Sequence, residues 1–281
     1  MKVVVLGSTG MLGHTVGKYL INNTDFKVKT SYRNEEYKYG DSFHFDPHFI
    51  SHDNFRILKD ADYVINCIGK IKPHMKADMI ESIDINSIFP RVLADLCCKA
   101  DTKLIHITTD CVFSGKTGCS TEETLHDCED DYGKTKSLGE PDNCMVLRTS
   151  IIGEELHDHV SLIAWIKKQA GKETNGYTNH YWNGITTNQY ARICEQIMST
   201  GLYEENIFHI YSDLAISKYE LIDFVNKVYN LDIKINPIDV DVVVDRTLSS
   251  VKSLNDQLYI PSIYEQIQQM KFDIEAFTAV K

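Results

Sequence analysis

The chain is short of positive charge. Its 281 residues include 29 Lys and Arg against 40 Asp and Glu, a net charge of −11 at pH 7. General nucleic-acid binders and anionic-membrane binders carry the opposite balance, so neither class fits. An anionic substrate would have to be held by a few local cations. No apolar run is long enough to span a bilayer, so no membrane partner is expected. The eight cysteines form no C-x-x-C pair, and Cys97 and Cys98 are adjacent. Cys67 and Cys144 fall in apolar, strand-like runs. These are reduced, buried thiols rather than a disulfide framework. No cluster of histidines and carboxylates has ligand spacing. His44, His48 and His52 recur every four residues, but Pro47 breaks any helix between the first two, so no metal is expected. Internal repeats and low-complexity tracts are missing. The first strand-like run starts at Lys2, so a secretory leader is not expected and the expected location is cytoplasmic.

What is present suits one large domain or two small ones with a sizeable core. Lys2-Val3-Val4-Val5-Leu6 is a short β-branched run, followed at once by Gly7-Ser8-Thr9-Gly10-Met11-Leu12-Gly13. Beyond it Leu12, Val16, Tyr19 and Leu20 share one helical face. A buried parallel strand, a tight turn and a helix are predicted. Gly7 permits the sharp exit from the strand. Gly10 lets phosphates approach backbone N–H groups, and Gly13 lets the helix pack closely on the sheet. The helix N-terminus then faces a pyrophosphate, with Thr9, Met11 and Leu12 in the cradle.

Five more strands alternate with helices. Phe26–Ser31 ends in Tyr32-Arg33-Asn34. An acidic residue there would bind the ribose 2′-hydroxyl and repel a 2′-phosphate; Arg33 argues for NADP(H) over NAD(H), while Glu35 and Glu36 leave NAD(H) open. Asp41–Asp46 follows, and Asp46 could accept from an adenine amino group or simply stand in a turn before Pro47. Ala61–Ile68 places Cys67, Ile68 and Gly69 where backbone passes a cofactor. Lys70, Lys72 and His74 come next, either anion contacts or ordinary surface charge. Ser82–Ala100 is predicted as one helix with Ile83, Ile88, Val92, Leu93 and Leu96 on its apolar face and Asn86 in its first turns. Lys103–Ile107 runs into Thr108-Thr109-Asp110-Cys111-Val112-Phe113. The polar loop Ser114–Asp131 is expected to be partly ordered by substrate. Tyr132-Gly133-Lys134-Thr135-Lys136 then opens a helix, and Cys144–Thr149 is the sixth strand. The pattern predicts an α/β, Rossmann-type doubly wound, mostly parallel sheet over residues 1–150. Residues 151–281 are predicted as a smaller α+β substrate lobe, parts of which return to the sheet. Its helices are predicted at Leu162–Ala170, Thr187–Met198, Ser217–Val228 and Ser262–Met270, with short strands at Asn206–Ile210 and Ile233–Ile238.

Tyr132 and Lys136 are four apart and project from one helical face. Hydride addition to a ketone needs a proton donor to the developing alkoxide, and a phenol is weakly acidic at neutral pH. An ammonium beside it favours the phenolate; a shift of about three units corresponds to roughly 4 kcal/mol. Lys136 is expected to supply this and to hold the nicotinamide ribose, while Thr109 polarises the carbonyl oxygen beside Tyr132.

These segments resemble the extended short-chain dehydrogenase/reductase superfamily, and within it the dTDP-4-dehydrorhamnose reductase branch. The resemblance rests on Gly7–Gly13, Thr108–Phe113, Tyr132–Lys136, Gly139-Glu140 and Leu147-Arg148-Thr149-Ser150. It continues in Gly184-Ile185-Thr186-Thr187 and Asp245-Arg246-Thr247-Leu248-Ser249, and so spans nearly the whole chain. It implies NADPH-dependent reduction at C4 of a nucleotide-activated 4-keto-6-deoxyhexose, in the synthesis of deoxysugar or surface-polysaccharide precursors. It implies Thr109, Tyr132 and Lys136 as the catalytic set, Asp110 beside the sugar, and Arg246 on the substrate diphosphate, a task suited to a planar guanidinium. Cys111 stands where that branch usually has tyrosine, and Ile151 near a usual aromatic. Both would line the sugar pocket, which leaves the exact sugar open. A sugar-nucleotide epimerase and a non-catalytic subunit like the regulatory subunit of methionine adenosyltransferase remain as alternatives; Cys111 after Asp110 disfavours a dehydratase. The oligomeric state is not set by the sequence, and a homodimer is left open.

Overall fold

Val3, Val4, Val5 and Leu6 are at most 2% exposed, so β1 (Lys2–Leu6) is covered on both faces, as its unbroken apolar run requires. The computed structural model of the chain describes residues 1–75 and 78–279. Helix α1 (Met11–Asn23) leads to β2 (Lys27–Tyr32) and β3 (Asp41–His44). Then come α2 (His52–Lys59), β4 (Tyr63–Asn66), α3 (Lys72–Met75), α4 (Met79–Ile83), α5 (Phe89–Ala100) and β5 (Lys103–Thr109). Helix α6 (Asp131–Leu138) precedes β6 (Met145–Thr149). Beyond it lie β7 (Ile151–Ile152), α7 (Leu162–Lys167), β8 (Glu173–Tyr177), β9 (His180–Trp182), β10 (Ile185–Thr186) and α8 (Thr187–Thr200). The chain continues through β11 (Ile207–His209), β12 (Ile216–Ser217), α9 (Lys218–Tyr229), β13 (Lys234–Ile238), β14 (Val244–Asp245), α10 (Leu254–Gln257) and α11 (Ile263–Ala279).

Seven strands form one parallel sheet in the order β11-β6-β5-β4-β1-β2-β3. The chain steps outward from β1 on one side, then restarts at β4 on the other. The switch point is therefore between β1 and β4, where doubly wound sheets bind ligands outside the carboxyl ends of the strands. Successive residues of β1 feed two cores. Val3 and Val5 pack with Leu12 and Val16 of α1 and with Ile193 and Ile197 of α8. Val4 and Leu6 pack with Leu58 of α2 and with Leu93 and Cys97 of α5. The strand read at 206–210 joins the large sheet as β11, beside β6. A third core holds Ile152, Ile163, Trp182, Leu221 and Ile267, beneath the small sheets β12-β9-β14 and β13-β8. Among the described residues, no helix is long and apolar enough to cross a membrane.

The segment predicted as one helix over 82–100 departs from that reading. Helices α4 and α5 are separated by a π-helical turn at Asp84–Ile88, whose wider ring closes with the Phe89 N–H donating to the Asp84 carbonyl. The extra residue rotates the apolar stripe. Leu93 and Cys97 are buried, but Ile83, Ile88 and Val92 are 39%, 51% and 43% exposed. The cause is local. Pro90 has no N–H to give the Asn86 carbonyl, and that carbonyl instead faces Gly139, where a Cβ would stand 1.7 Å away. The loop at 114–131 is tied down within the chain, through a parallel bridge between Ser120 and Leu248 and the Cys119 N–H donating to Thr247 Oγ1 at 2.8 Å.

A buried polar network ties this loop to the sheet edge. The Arg148 guanidinium, 1% exposed, donates through Nε and Nη2 to Glu140 at 3.1 and 2.7 Å. Its Nη1 and Nη2 also donate to Nε2 of His209 and of His126, at 2.7 and 2.9 Å. His209 Nδ1 donates to the carbonyls of Ser249 and Ser120, so this imidazole is neutral with a fixed tautomer. Burial and Arg148 push its pKa down. Burial, with Lys18 adding repulsion, likewise pushes His14 in α1 down to about 4.

Both histidines take up protons more readily in the unfolded chain, so their contribution to stability is lost as pH falls below about 6.5. The unfolding free energy is expected to drop by up to about 1.4 kcal/mol per pH unit per histidine between pH 6.5 and 5, above most carboxylate titrations. Urea denaturation at pH 7.0, 6.0 and 5.0 measures this. An unchanged midpoint would show that both imidazoles take up protons alike in the folded and unfolded chain.

Candidate active site

Gly7 leaves β1 with φ +76°, and a Cβ there would stand 2.9 to 3.0 Å from Cys67 and Ile68 on the exit of β4. The Gly10 N–H donates to the Gly7 carbonyl at 3.0 Å, closing the turn. Gly10 is the N-cap of α1 and offers no side-chain cap, so the N–H groups of Met11, Leu12 and Gly13 lack a capping side chain. A Cβ on Gly13 would fall 2.3 Å from the Gly7 carbonyl, which is why the helix can sit this close to the strand. Across the switch point, a Cβ on Gly69 would stand 3.7 Å from Asn86 Oδ1 and 3.9 Å from Lys136 Nζ. This cradle of bare backbone beside a helix N-terminus fits a dinucleotide pyrophosphate. Arg33 is exposed at the end of β2, with no hydrogen bond or ion pair to any described residue. Asp46 accepts from the His48 N–H at 3.0 Å through Oδ1.

The second half of the site grows from the end of β5. Thr109 Oγ1 accepts from the Cys111 N–H and donates to Asp110 Oδ1, both at 3.1 Å, which caps a 3-10 turn at Asp110–Val112. Helix α6 lies directly on this turn, because a Cβ on Gly133 would stand 2.3 Å from the Cys111 carbonyl. Asp130 caps α6 through the Gly133 N–H at 2.8 Å. Tyr132 thereby stands beside Thr109, whose hydroxyl opposes the rise of the Tyr132 pKa. One turn on, the buried Lys136 Nζ donates to the Ile107 carbonyl at 3.1 Å. Asn86 donates to Thr135 Oγ1 at 3.2 Å, and Ser87 donates to the Thr135 carbonyl at 2.7 Å, fixing the rotation of α6.

The electrostatics differ from one sequence-based expectation. The Tyr132 phenol is pushed up by burial and by the neighbouring Cys111, with Thr109 opposing, and Lys136 is not among the leading causes. Burial lowers Lys136 to about 8. Burial raises Asp110, against Arg246, Thr109, Lys218 and Ser150. Burial and Asp110 push the Cys111 thiol up to about 12.

Thr109, Asp110, Cys111 and Tyr132 are brought together, and Lys136 lies between Ile107 and Gly69. Arg246 is drawn in from the far end of the chain, donating from Nη1 to the Phe113 carbonyl at 3.0 Å. Lys72 stands 2.7 Å from Asp130 and 5.6 Å from the centre of the Tyr132 ring. Lys70 does not join this group: its ammonium is held by Glu81, and its backbone bonds to Asn86, so its charge is already paired. Ile151 pairs with Ile185 and packs against the core beside α1 and α8. Ser150 and Lys218, which the sequence does not mark as site residues, also act on Asp110; Ser150 closes the run Leu147-Arg148-Thr149-Ser150. Lys218 is the first residue after the Ser217 cap of α9, and that placement was the available signal.

A doubly wound parallel sheet with a glycine turn after β1, and with Thr109, Tyr132 and Lys136 around the end of β5, is the extended short-chain dehydrogenase/reductase architecture. Within it the chain belongs to the RmlD substrate binding domain family, whose model matches residues 1–255. It is 25% identical over 257 residues to methionine adenosyltransferase 2 subunit beta of Danio rerio, covering 82% of this chain and 74% of that protein. It is 26% identical over 240 residues to a Haloferax volcanii protein named "Probable low-salt glycan biosynthesis reductase Agl14", covering 77% and 76%. Among solved structures, a dTDP-4-dehydrorhamnose reductase of Bacillus anthracis in complex with NADP superposes with TM-score 0.74 at 18% identity, over 97% of this chain and 99% of that one. A UDP-glucuronic acid 4-epimerase of Bacillus cereus in complex with NAD gives 0.73 at 17%, over 95% and 94%.

Gly13→Val tests the cradle. The new side chain would collide with the Gly7 carbonyl and force α1 off the strand. NADPH affinity, followed by nicotinamide fluorescence, is expected to fall at least tenfold, with about 1–3 kcal/mol lost from stability. Retained affinity would place the dinucleotide elsewhere.

Proposed function

We propose that this protein is a nicotinamide-dependent reductase acting on a keto group of a nucleotide-activated sugar, with a 4-keto-6-deoxyhexose as substrate and NADPH as the preferred reductant. One observation carries the reading: Thr109 and Tyr132 meet at the end of β5, and Lys136 opens toward Gly69, across from the glycine turn. A bound reduced nicotinamide supplies the hydride to the carbonyl carbon. Tyr132 gives its phenolic proton to the carbonyl oxygen as charge develops there, and the proton is restored from solvent. Burial keeps that phenol protonated at neutral pH, the form a reduction needs. Thr109 turns its one hydroxyl proton from Asp110 Oδ1 to the same oxygen and adds a second hydrogen bond there. Lys136 holds the ribose hydroxyls, and Arg246 and Lys218 stand over the site for the anionic part of the substrate. The family membership supports the substrate class, and solved neighbours carry NADP or NAD. Arg33, free at the end of β2, supports NADPH. A role in building deoxysugar or surface-polysaccharide precursors, in the cytoplasm, follows from that substrate.

A docking role is the second reading, favoured by the likeness to the beta subunit of methionine adenosyltransferase 2 over most of the chain. Purified protein mixed with NADPH and a 4-keto-6-deoxy sugar nucleotide separates the readings. Stoichiometric loss of reduced nicotinamide supports the reductase. Altered sugar without that loss supports an epimerase, and no change in either supports the subunit.

Tyr132→Phe is expected to lower kcat by about 10²- to 10⁴-fold with NADPH affinity nearly intact. Full turnover in this variant would remove the phenol from the mechanism. Arg33→Ser is expected to lower the preference for NADPH over NADH about tenfold in kcat/KM, since one charge-assisted contact to the 2′-phosphate is lost. An unchanged preference would move 2′-phosphate recognition away from β2.

A further inference from the structure

Residues 153–161, between β7 and α7, cross the groove at the switch point. Their ends are pinned. Glu155 accepts from the Ser161 N–H at 2.7 Å, Glu154 pairs with Lys167, and Lys168 donates to the His159 carbonyl at 2.7 Å. Between these anchors, Asp158 and His159 are consecutive non-glycine residues in the left-handed region, with φ +62° and +50°. That sharp reversal carries the segment onto three separate connections. His157 Nε2 donates to the Thr9 carbonyl in the glycine turn after β1, at 3.1 Å. The His157 ring stacks on Tyr37 after β2, with centroids 3.9 Å apart and planes 27° from parallel. Asp158 stands 3.6 Å from His74 in α3, on the connection after β4. The loops after β1 and β4 flank the switch point, and the loop after β2 lies beside the first of them.

We infer that residues 153–161 form a strap across the dinucleotide groove, and that the stacked rings of Tyr37 and His157 are a latch that retains the adenosine half of the cofactor. The inference rests on the dinucleotide reading above. Tyr37 lies four residues beyond Arg33, on the side of the sheet where a doubly wound fold receives the adenosine. His157 joins that side to the glycine turn, so the closed strap spans from the 2′-phosphate end to the pyrophosphate cradle. A ligand lying beneath it leaves only when the ring stack and the bond to Thr9 break together. Both rings are partly exposed and belong to no core cluster, so the latch opens without disturbing the sheet.

The test is the dissociation rate of NADPH, read by stopped-flow displacement of nicotinamide fluorescence with excess NADP⁺. Tyr37→Ala and His157→Ala are each expected to raise that rate about tenfold, with the melting temperature of the unliganded protein lowered by no more than about 2–4 °C. His157→Phe keeps a ring on Tyr37 but loses the bond to Thr9, and its rate should fall between those of wild type and His157→Ala. Rates equal to wild type in both alanine variants overturn the latch. Slower release or tighter binding in either also overturns it, because the strap would then obstruct the groove. A wild-type protein that binds neither NADPH nor NADH overturns the dinucleotide reading itself, and the latch with it.

Discussion

Asn86 is fully buried, and three segments of the chain converge on it. Its side chain accepts from the Lys70 N–H at 2.8 Å and donates to the Lys70 carbonyl at 2.9 Å, which satisfies the backbone just past Gly69. It also donates to Thr135 in α6. Its own carbonyl, which Pro90 cannot bond, fills the space left by the absent side chain of Gly139. One residue thus links the exit of β4 to the helix that carries Tyr132 and Lys136. Unsatisfied polar groups at this depth would cost about 1–3 kcal/mol each, so the geometry of the site is held by the same bonds that keep the fold from leaving them unpaired. The π-helical turn follows from this: an unbroken α-helix would carry Asn86 round to another face.

The site behaves as a low-dielectric enclosure rather than as a single ion pair. Burial is the leading cause of the shift at Tyr132, Asp110, Cys111 and Lys136 alike, and each moves toward its neutral form. For Tyr132 this means a phenol that keeps its proton until charge appears on an adjacent oxygen. For Lys136 it means an ammonium that the Ile107 carbonyl and the more distant Glu140 only partly stabilise. The Thr109 hydroxyl sits between, already oriented by the Cys111 N–H and Asp110. Preorganisation of this kind contributes when charge develops, not before.

The parts of this arrangement legible in the sequence are those set by neighbours along the chain. The turn from Gly7 to Gly13 and the Tyr132–Lys136 spacing are local, and the alternation of apolar runs with helical periods gave the parallel sheet. The parts that were not legible depend on distant pairings. The loop at 114–131 looks pliable because it is polar, yet its backbone partners are Thr247 to Ser249, well over a hundred residues later. Arg148 looks like a strand-end surface residue, and nothing near it announces Glu140, His126 and His209 as partners. The segment 82–100 reads as one helix because Pro90 stands close to the start of α5, where a proline is ordinarily harmless, and its effect appears only through Asn86 and Gly139. Lys70, in the loop after β4, reads as a free cation because its partner Glu81 lies eleven residues on, in α4.

The shortage of positive charge sharpens the role of the cations that do reach the site. Glu81 neutralises Lys70 and Asp130 neutralises Lys72. Arg246 and Lys218 face one buried carboxylate, Asp110, whose raised pKa shows that even two cations do not repay its burial. Lys218 makes no hydrogen bond or ion pair with a described residue and stands 5.4 Å over the Trp182 ring. Burial lowers its pKa despite Asp110, so it too lacks a sufficient counter-charge. A chain with net charge −11 repels anions at long range, so an anion that binds must do so at short range against a few fixed donors. Arg246 and Lys218 provide such a place. Their separation in sequence, one at the start of α9 and the other after β14, means that only the folded carboxyl-terminal half can bring them to the end of β5.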